Sequence, residues 1–130
     1  FLAESGAADC YQVACSLLAE PKLNVSAMST LTSKWGRGGK EGRLSREGAV
    51  FCFDRLLRLA AIRKSVGNES SSCAFEKRAI NLLCGRHSAF QLAVFHNEFL
   101  EDSARAEGLN IDFSQFLLRQ MIKLYQKTLP

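Results

Sequence analysis

Residues 45–66 read SREGAVFCFDRLLRLAAIRKSV, and this stretch decides the predicted fold. Apolar side chains cover most of its helical surface and leave only a narrow polar strip. The polar residues of that strip are mainly Glu47, Asp54, Arg55 and Arg58. A helix that is apolar on most sides needs other helices around it. Ser45 is positioned to cap its first turn. We therefore predict a central helix from Arg46 to about Val66.

The flanking segments also have the apolar spacing of helices. Further helices are expected at about 7–20, 24–35, 72–84, 88–107 and 112–125. No segment alternates between apolar and polar residues over a useful length, so no strands are predicted. The connections are mostly short, which favours antiparallel neighbours in a bundle. We predict an all-α fold in which residues 1–130 form a single compact bundle of about five to six helices, either alone or as one module of a larger protein.

Several helix ends have recognisable signals. Asn24 or Ser26 is expected to cap the second helix, and Ser88 and Asp112 the fifth and sixth, because these side chains accept hydrogen bonds from free amides of a first turn. Gly36 is expected to end the second helix. Gly85 is expected to close the fourth helix in the left-handed conformation that glycine adopts without strain.

A glycine-rich basic loop separates the second helix from the third. Four glycines fall within residues 36–42, where they make regular structure costly, so 36–44 is predicted to be a flexible loop. Cations recur every three residues across it, beside a tryptophan. The candidate binding surface comprises Lys34, Trp35, Arg37, Lys40, Arg43 and Arg46. These cations are suited to phosphates, and Trp35 or the plane of an arginine to stacking on an unpaired base. The alternative is a solvated loop kept soluble by its charge.

No motif indicates catalysis, a cofactor or a metal site. His87 is expected to face solvent in a turn, and His96 to lie partly buried at the edge of an apolar stripe. No two cysteines have the C-x-x-C spacing of zinc or redox sites. The glycine loop has neither a preceding strand nor the G-K-[ST] sequence of a phosphate-binding loop. We predict that the protein is not an enzyme and requires no metal or cofactor.

The five cysteines bear on the cellular compartment. Their odd number and apolar surroundings predict buried free thiols, and therefore an intracellular location in the cytoplasm or nucleus. The alternative is secretion with two disulfides and one spare thiol, which glycosylation sequons at Asn24 and Asn68 would suit. No apolar run approaches the roughly 20 residues of a membrane-spanning helix, so no membrane association is predicted.

Because no catalytic, cofactor, metal or membrane-spanning motif is found, interaction with another molecule is the predicted function. The net charge of +4 permits an acidic partner without requiring one. We predict a non-enzymatic helical domain that binds a protein partner, as a binding or scaffolding module. The first alternative is nucleic-acid binding through residues 34–46. The second alternative is a secreted helical signalling protein.

Overall fold

Six helices account for all the regular structure in the part of the chain that the structure describes. The structure, a computed structural model, describes residues 7–36, 43–67, 73–108 and 112–126. The helices are α1 (Ala7–Leu18), α2 (Val25–Trp35), α3 (Arg43–Val66), α4 (Ala74–Arg86), α5 (Ala89–Gly108) and α6 (Phe113–Tyr125). They pack into one bundle, which confirms the predicted all-α fold.

Helix α3 is central, as its apolar composition predicts. It contacts α1, α2, α4 and α5, most extensively α5. It begins at Arg43, one turn before the predicted start at Arg46. Ser45 consequently lies inside the first turn, and its Oγ donates a hydrogen bond to the Trp35 carbonyl at 2.5 Å instead of capping the helix. The predicted flexible loop, 36–44, lies largely outside the described residues, and its last two residues are helical.

A row of aromatic rings runs through the core and joins four helices. Trp35 of α2 packs on Phe53 of α3, which packs on Phe99 of α5, with centroids 5.5 and 5.3 Å apart. The row continues through Phe116 to Phe113 of α6, at 5.6 and 5.3 Å. All five rings are buried. Burial of each contributes about 1.5–3 kcal/mol, so this row is a main source of stability.

Many helix contacts join elements that are distant in sequence. Extensive contacts link α3 with α5, α2 with α6, and α1 with α4, each pair separated by at least one other helix. The prediction that short connections place consecutive helices side by side therefore accounts for only part of the packing. One close approach fixes the start of α6 against the end of α2: Ser114 Oγ donates to the Gly36 carbonyl at 3.1 Å. A Cβ at position 36 would lie 2.9 Å from the Ser114 Cα, so this packing needs glycine.

Three of the predicted N-terminal caps are confirmed, whereas Ser45 does not cap α3. The Asn24 side chain accepts a hydrogen bond from an amide in the first turn of α2 at 3.0 Å. Ser88 Oγ accepts one from the amide three residues further on, at 3.1 Å. Asp112 accepts from two amides of the first turn of α6. These local hydrogen bonds fix where three of the six helices in the described residues begin.

One predicted C-terminal signal is confirmed and another is wrong. Gly36 closes α2, with its amide bonded to the Thr32 carbonyl. Gly85, in contrast, is inside α4, which ends at Arg86 and is followed by an extended His87. Among the described residues, Gly67 is the glycine with positive φ, at 82°. The left-handed glycine therefore follows α3 and not α4.

The cysteines are free thiols, as predicted. Cys10, Cys15 and Cys52 are buried, whereas Cys73 and Cys84 are half-buried. Burial raises the pKa of Cys15 and that of Cys52 to about 12, so both stay protonated at neutral pH. None of the helices within the described ranges is both long and apolar enough to cross a membrane.

Candidate functional site

The structure places only part of the predicted basic surface. Lys34 is exposed at the end of α2. Arg43 is exposed at the start of α3 and forms an ion pair with Glu47, its Nε 2.9 Å from Oε1. Arg46 is half-buried. The other two predicted cations, Arg37 and Lys40, lie outside the described residues.

Trp35 does not belong to an exposed surface. Its side chain is fully buried, and its ring packs on Phe53 in the aromatic row. The indole face is therefore not available to stack on a base, and the expectation that it does so is wrong. The tryptophan follows the apolar stripe of α2, together with Met28 and Leu31, and this helical position decides its burial.

The two histidines have structural surroundings. His87 is fully buried instead of facing solvent; its Nε2 lies 2.6 Å from the Leu124 carbonyl oxygen, and its ring meets Phe95 edge-on. Burial lowers the pKa of His87, which keeps the ring neutral. His96 is partly buried, as predicted, with Nε2 2.5 Å from an oxygen of Asp54. No group of three or more His, Cys, Asp or Glu in the described ranges could hold a metal ion.

A cleft of about 390 Å³ lies between α1, α3 and the start of α4. We call it the Phe51 cleft. It is lined by Tyr11, Phe51, Cys52, Arg55, Cys73, Phe75 and Glu76. Phe51 is 50% exposed, whereas Tyr11 is buried and meets the Phe75 ring edge-on, with centroids 5.8 Å apart. The volume is in the range of known ligand pockets, and the lining is mainly aromatic and sulfur-bearing.

A hydrogen-bonded charge network lies in the wall of the Phe51 cleft. Glu76 is fully buried and accepts two hydrogen bonds from Arg55, Nε to Oε2 at 2.8 Å and Nη2 to Oε1 at 3.1 Å. The Tyr11 hydroxyl also donates to this carboxylate. Burial raises the pKa of Tyr11, so the phenol remains a donor. The hydrogen bond to Glu76 raises the pKa of Arg55, so the guanidinium remains charged. A two-point contact of this kind fixes the plane of the guanidinium.

The fixed guanidinium keeps donors for an external partner. The Arg55 side chain is 36% exposed, and its Nη1 has no hydrogen-bond partner in the part of the chain that the structure describes. An apolar cleft with N–H donors beside it is suited to a group that combines an apolar body with an acceptor oxygen. The Cys52 thiol is a poor nucleophile because burial raises its pKa to about 12.

The exposed face of α3 extends the cleft. Phe51, Arg55, Arg58 and Ile62 follow one another at intervals of four, three and four residues, so they share one side of the helix. We call this set the α3 stripe. Its ends are apolar, since Phe51 and Ile62 are exposed, and its middle is basic. Arg58 is half-exposed and lies 3.6 Å from an oxygen of Asp54.

Sequence reasoning did not find this site, although α4 contains a signal for it. Glu76 has the same helical spacing as the buried Ala79, Ile80 and Leu83. A carboxylate in an apolar helical stripe needs a buried partner, because an isolated buried charge is strongly unfavourable. The spacing alone could therefore have indicated a buried ion pair, but not that Arg55 would be its partner.

Comparison with known proteins finds no matching family model, no similar curated protein and no similar solved structure. The function is therefore inferred from the geometry of the Phe51 cleft and the α3 stripe.

Proposed function

We propose that this domain is a non-enzymatic protein-binding module that holds an acidic amphipathic helix of its partner in the Phe51 cleft and along the α3 stripe. The observation that carries the proposal is the half-exposed Phe51 ring at a mainly apolar cleft of about 390 Å³. Exposed apolar surface beside a groove favours a partner that covers it, and helices are common occupants of such grooves.

The cleft supplies an anchor pocket. Binding energy at protein interfaces is concentrated in a few large side chains that fill pockets and exclude water. The Phe51 cleft is large enough for a leucine or phenylalanine side chain. Ile62 is three helical turns from Phe51, about 16 Å along α3 at 1.5 Å per residue. It offers a second apolar contact to a partner helix that follows the stripe.

The charges favour an acidic partner. Arg55 and Arg58 lie between the two apolar ends of the α3 stripe, and the chain has a net charge of +4. Because Glu76 already holds Arg55 in place, a partner carboxylate would meet a guanidinium that loses little conformational freedom on binding. A partner helix with carboxylates between two apolar residues matches this pattern.

The experiment selects ligands from a display library of helical peptides on the immobilised domain. We expect enriched peptides to combine a large apolar residue with Asp or Glu, and to lose binding to the Phe51→Ser variant. Phe90→Ser is the matched control, because Phe90 is 73% exposed on α5 and does not line the cleft. Peptides that bind F51S as tightly as the wild type contradict the proposal, as does equal loss of binding with F90S.

A charge-reversal variant tests the contribution of the basic residues separately from that of the apolar residues. In the R58E variant, acidic peptides from the same selection should bind less tightly, and the loss should shrink as salt rises, since exposed charges are screened. The selected peptides should retain their affinity for R78E, because Arg78 is exposed on α4 and does not line the cleft. Equal loss of affinity in both variants would indicate a nonspecific effect of net charge.

A nucleic-acid contact is the second proposal, supported by the exposed Lys34 and Arg43 on either side of residues 37–42. It predicts that fluorescent oligonucleotides bind at low salt and dissociate steeply as salt rises. The K34E/R43E double variant should lose this binding. Retained binding in that variant, or no binding to single- or double-stranded probes, contradicts it.

We also propose an intracellular location, which the five free thiols support. Alkylation of the protein from its native source, denatured without a reductant so that the buried thiols also react, tests this. Five labelled thiols are expected, whereas paired cysteines would favour the secreted alternative.

A further inference from the structure

A second pocket, of about 280 Å³, lies between the C-terminal half of α5 and the middle of α6. No described residue lines both this pocket and the Phe51 cleft. The residues that line it are Asp102, Arg105, Ala106, Phe116, Arg119 and Gln120. Two adjacent helices therefore each contribute one guanidinium to the same recess.

Both guanidiniums have capacity for a ligand. Arg119 is exposed and makes no hydrogen bond or ion pair with the residues that the structure describes. Arg105 is 64% exposed and forms an ion pair with Asp102, its Nη1 3.3 Å from Oδ1. Exposed pairs of this kind contribute little net free energy, so a stronger anion can displace Asp102. Among the lining residues that the structure describes, Arg105, Arg119 and Asp102 sum to +1.

The floor of the pocket is apolar. Ala106 and Phe116 are buried beneath it. The small alanine side chain leaves room in the recess, and Phe116 adds an aromatic side chain to its lining. The volume corresponds to about nine water molecules at roughly 30 Å³ each, which is enough for an anionic group with one small ring.

We propose that this pocket binds a phosphate monoester, with Arg105 and Arg119 donating hydrogen bonds to the phosphate oxygens and Ala106 and Phe116 contacting the organic group. The planar guanidinium matches the spacing of phosphate oxygens and binds them at two points. A phosphate monoester carries a charge of about −1.5 to −2 at neutral pH, which the two arginines offset in part because Asp102 remains in the lining. Gln120, whose side-chain amide can also donate a hydrogen bond, lines the pocket as well.

Phenyl phosphate is the probe, and neutral benzyl alcohol is its comparison. Both are titrated into the whole chain while backbone amide chemical shifts are followed by two-dimensional NMR. Phenyl phosphate should shift the amides of 102–106 and 116–120, whereas benzyl alcohol should not. No shift at millimolar phenyl phosphate overturns the proposal. Equal binding of benzyl alcohol also overturns it, because the pocket would then recognise the ring and not the phosphate.

Three variants test the assigned contacts. R119Q should weaken phenyl phosphate binding by about tenfold, which corresponds to the loss of one charge-assisted hydrogen bond. D102N should strengthen binding, because it frees Arg105 and removes a negative charge from the rim. R78Q removes one positive charge, as R119Q does, but from α4. It should leave phenyl phosphate binding unaltered. Equal weakening in R119Q and R78Q, or weaker binding in D102N, overturns the assignment.

A parallel titration identifies the source of the phosphate. A tripeptide with a central phosphotyrosine presents the same aryl phosphate within a peptide. Weaker binding of the tripeptide than of phenyl phosphate indicates a free small molecule, and tighter binding indicates a phosphorylated protein. Both results support phosphate recognition, whereas binding of the unphosphorylated tripeptide as tightly as its phosphorylated form contradicts it.

Discussion

Arg55 holds the carboxylate of Glu76 through two parallel hydrogen bonds, at 2.8 and 3.1 Å. The carboxylate is fully buried, whereas the guanidinium reaches the Phe51 cleft. One ion pair thus joins the interior of the bundle to its candidate binding surface. The two partners are not equivalent, because only the carboxylate is fully removed from water.

This asymmetry predicts unequal effects on stability. Arg55→Met should lower the free energy of unfolding by about 3 kcal/mol, because it leaves a buried carboxylate without its cation. Glu76→Gln should cost only about 1–2 kcal/mol, since the remaining guanidinium reaches solvent. Urea unfolding followed by circular dichroism measures both. Arg58→Met, which removes an exposed arginine from the same helix, should cost less than about 1 kcal/mol. A larger loss for E76Q than for R55M would contradict this reading of the pair.

His87 predicts a loss of stability in mild acid. Burial lowers the pKa of the folded-state ring below its ordinary value of 6.5, so the unfolded chain takes up a proton more readily than the folded one. The contribution of His87 is therefore present above about pH 6.5 and is lost as the pH falls below it. His87→Gln should be less stable at neutral pH but should vary less between about pH 7 and 5. Thermal unfolding across that range tests this, and an unchanged pH slope in H87Q would rule out His87 as its source.

The cysteines should differ in reactivity. Cys73 and Cys84 are half-buried, whereas Cys15 and Cys52 are buried and have pKa values raised to about 12. Because the thiolate is the reactive form, N-ethylmaleimide should label Cys73 and Cys84 first in the folded protein. Peptide mapping by mass spectrometry after brief labelling gives the order. Labelling of Cys15 as fast as Cys73 would contradict the packing of α1.

Two glycine substitutions should have opposite effects. Gly36→Ala places a Cβ 2.9 Å from the Ser114 backbone, and the resulting shift of α6 should cost about 1–3 kcal/mol. Gly85→Ala meets no atom within 4 Å and lies in the last turn of α4, so it should stabilise the protein by about 0.5–1 kcal/mol. Thermal unfolding midpoints compare the two variants. A stabilised G36A would show that α2 and α6 do not approach closely at this point.

Local features of the fold were predictable, because they depend on neighbours in the chain. The caps at Asn24, Ser88 and Asp112 each involve amides two or three residues away. The apolar composition of 45–66 likewise predicted a central helix. Gly85 shows the limit of such signals, since α4 continues through it and ends one residue later.

The site depends on contacts between distant elements, which the sequence pattern does not specify. Trp35 belongs to a cationic segment by sequence but is buried against Phe53, 18 residues further on. His87 lies in a short connection between helices but is bonded to Leu124 of α6. The Phe51 cleft brings Tyr11, Arg55 and Glu76 together from three helices. Contacts between helices therefore decide whether the predicted residues, such as Trp35 and His87, are exposed or buried. They also decide which residues pair with one another in the Phe51 cleft.

The contacts of α6 with Glu20 and α2 have a consequence for synthesis on the ribosome. The Tyr125 hydroxyl donates to the Glu20 carbonyl at 2.5 Å, and α2 contacts α6 more extensively than any other helix. When α2 leaves the ribosome, the helix that covers it has not yet been translated. The aromatic row stays incomplete until residues 113–116 emerge, so the apolar side of α2 stays exposed while residues 37–112 are translated, and chaperones that bind such surface have that interval in which to act.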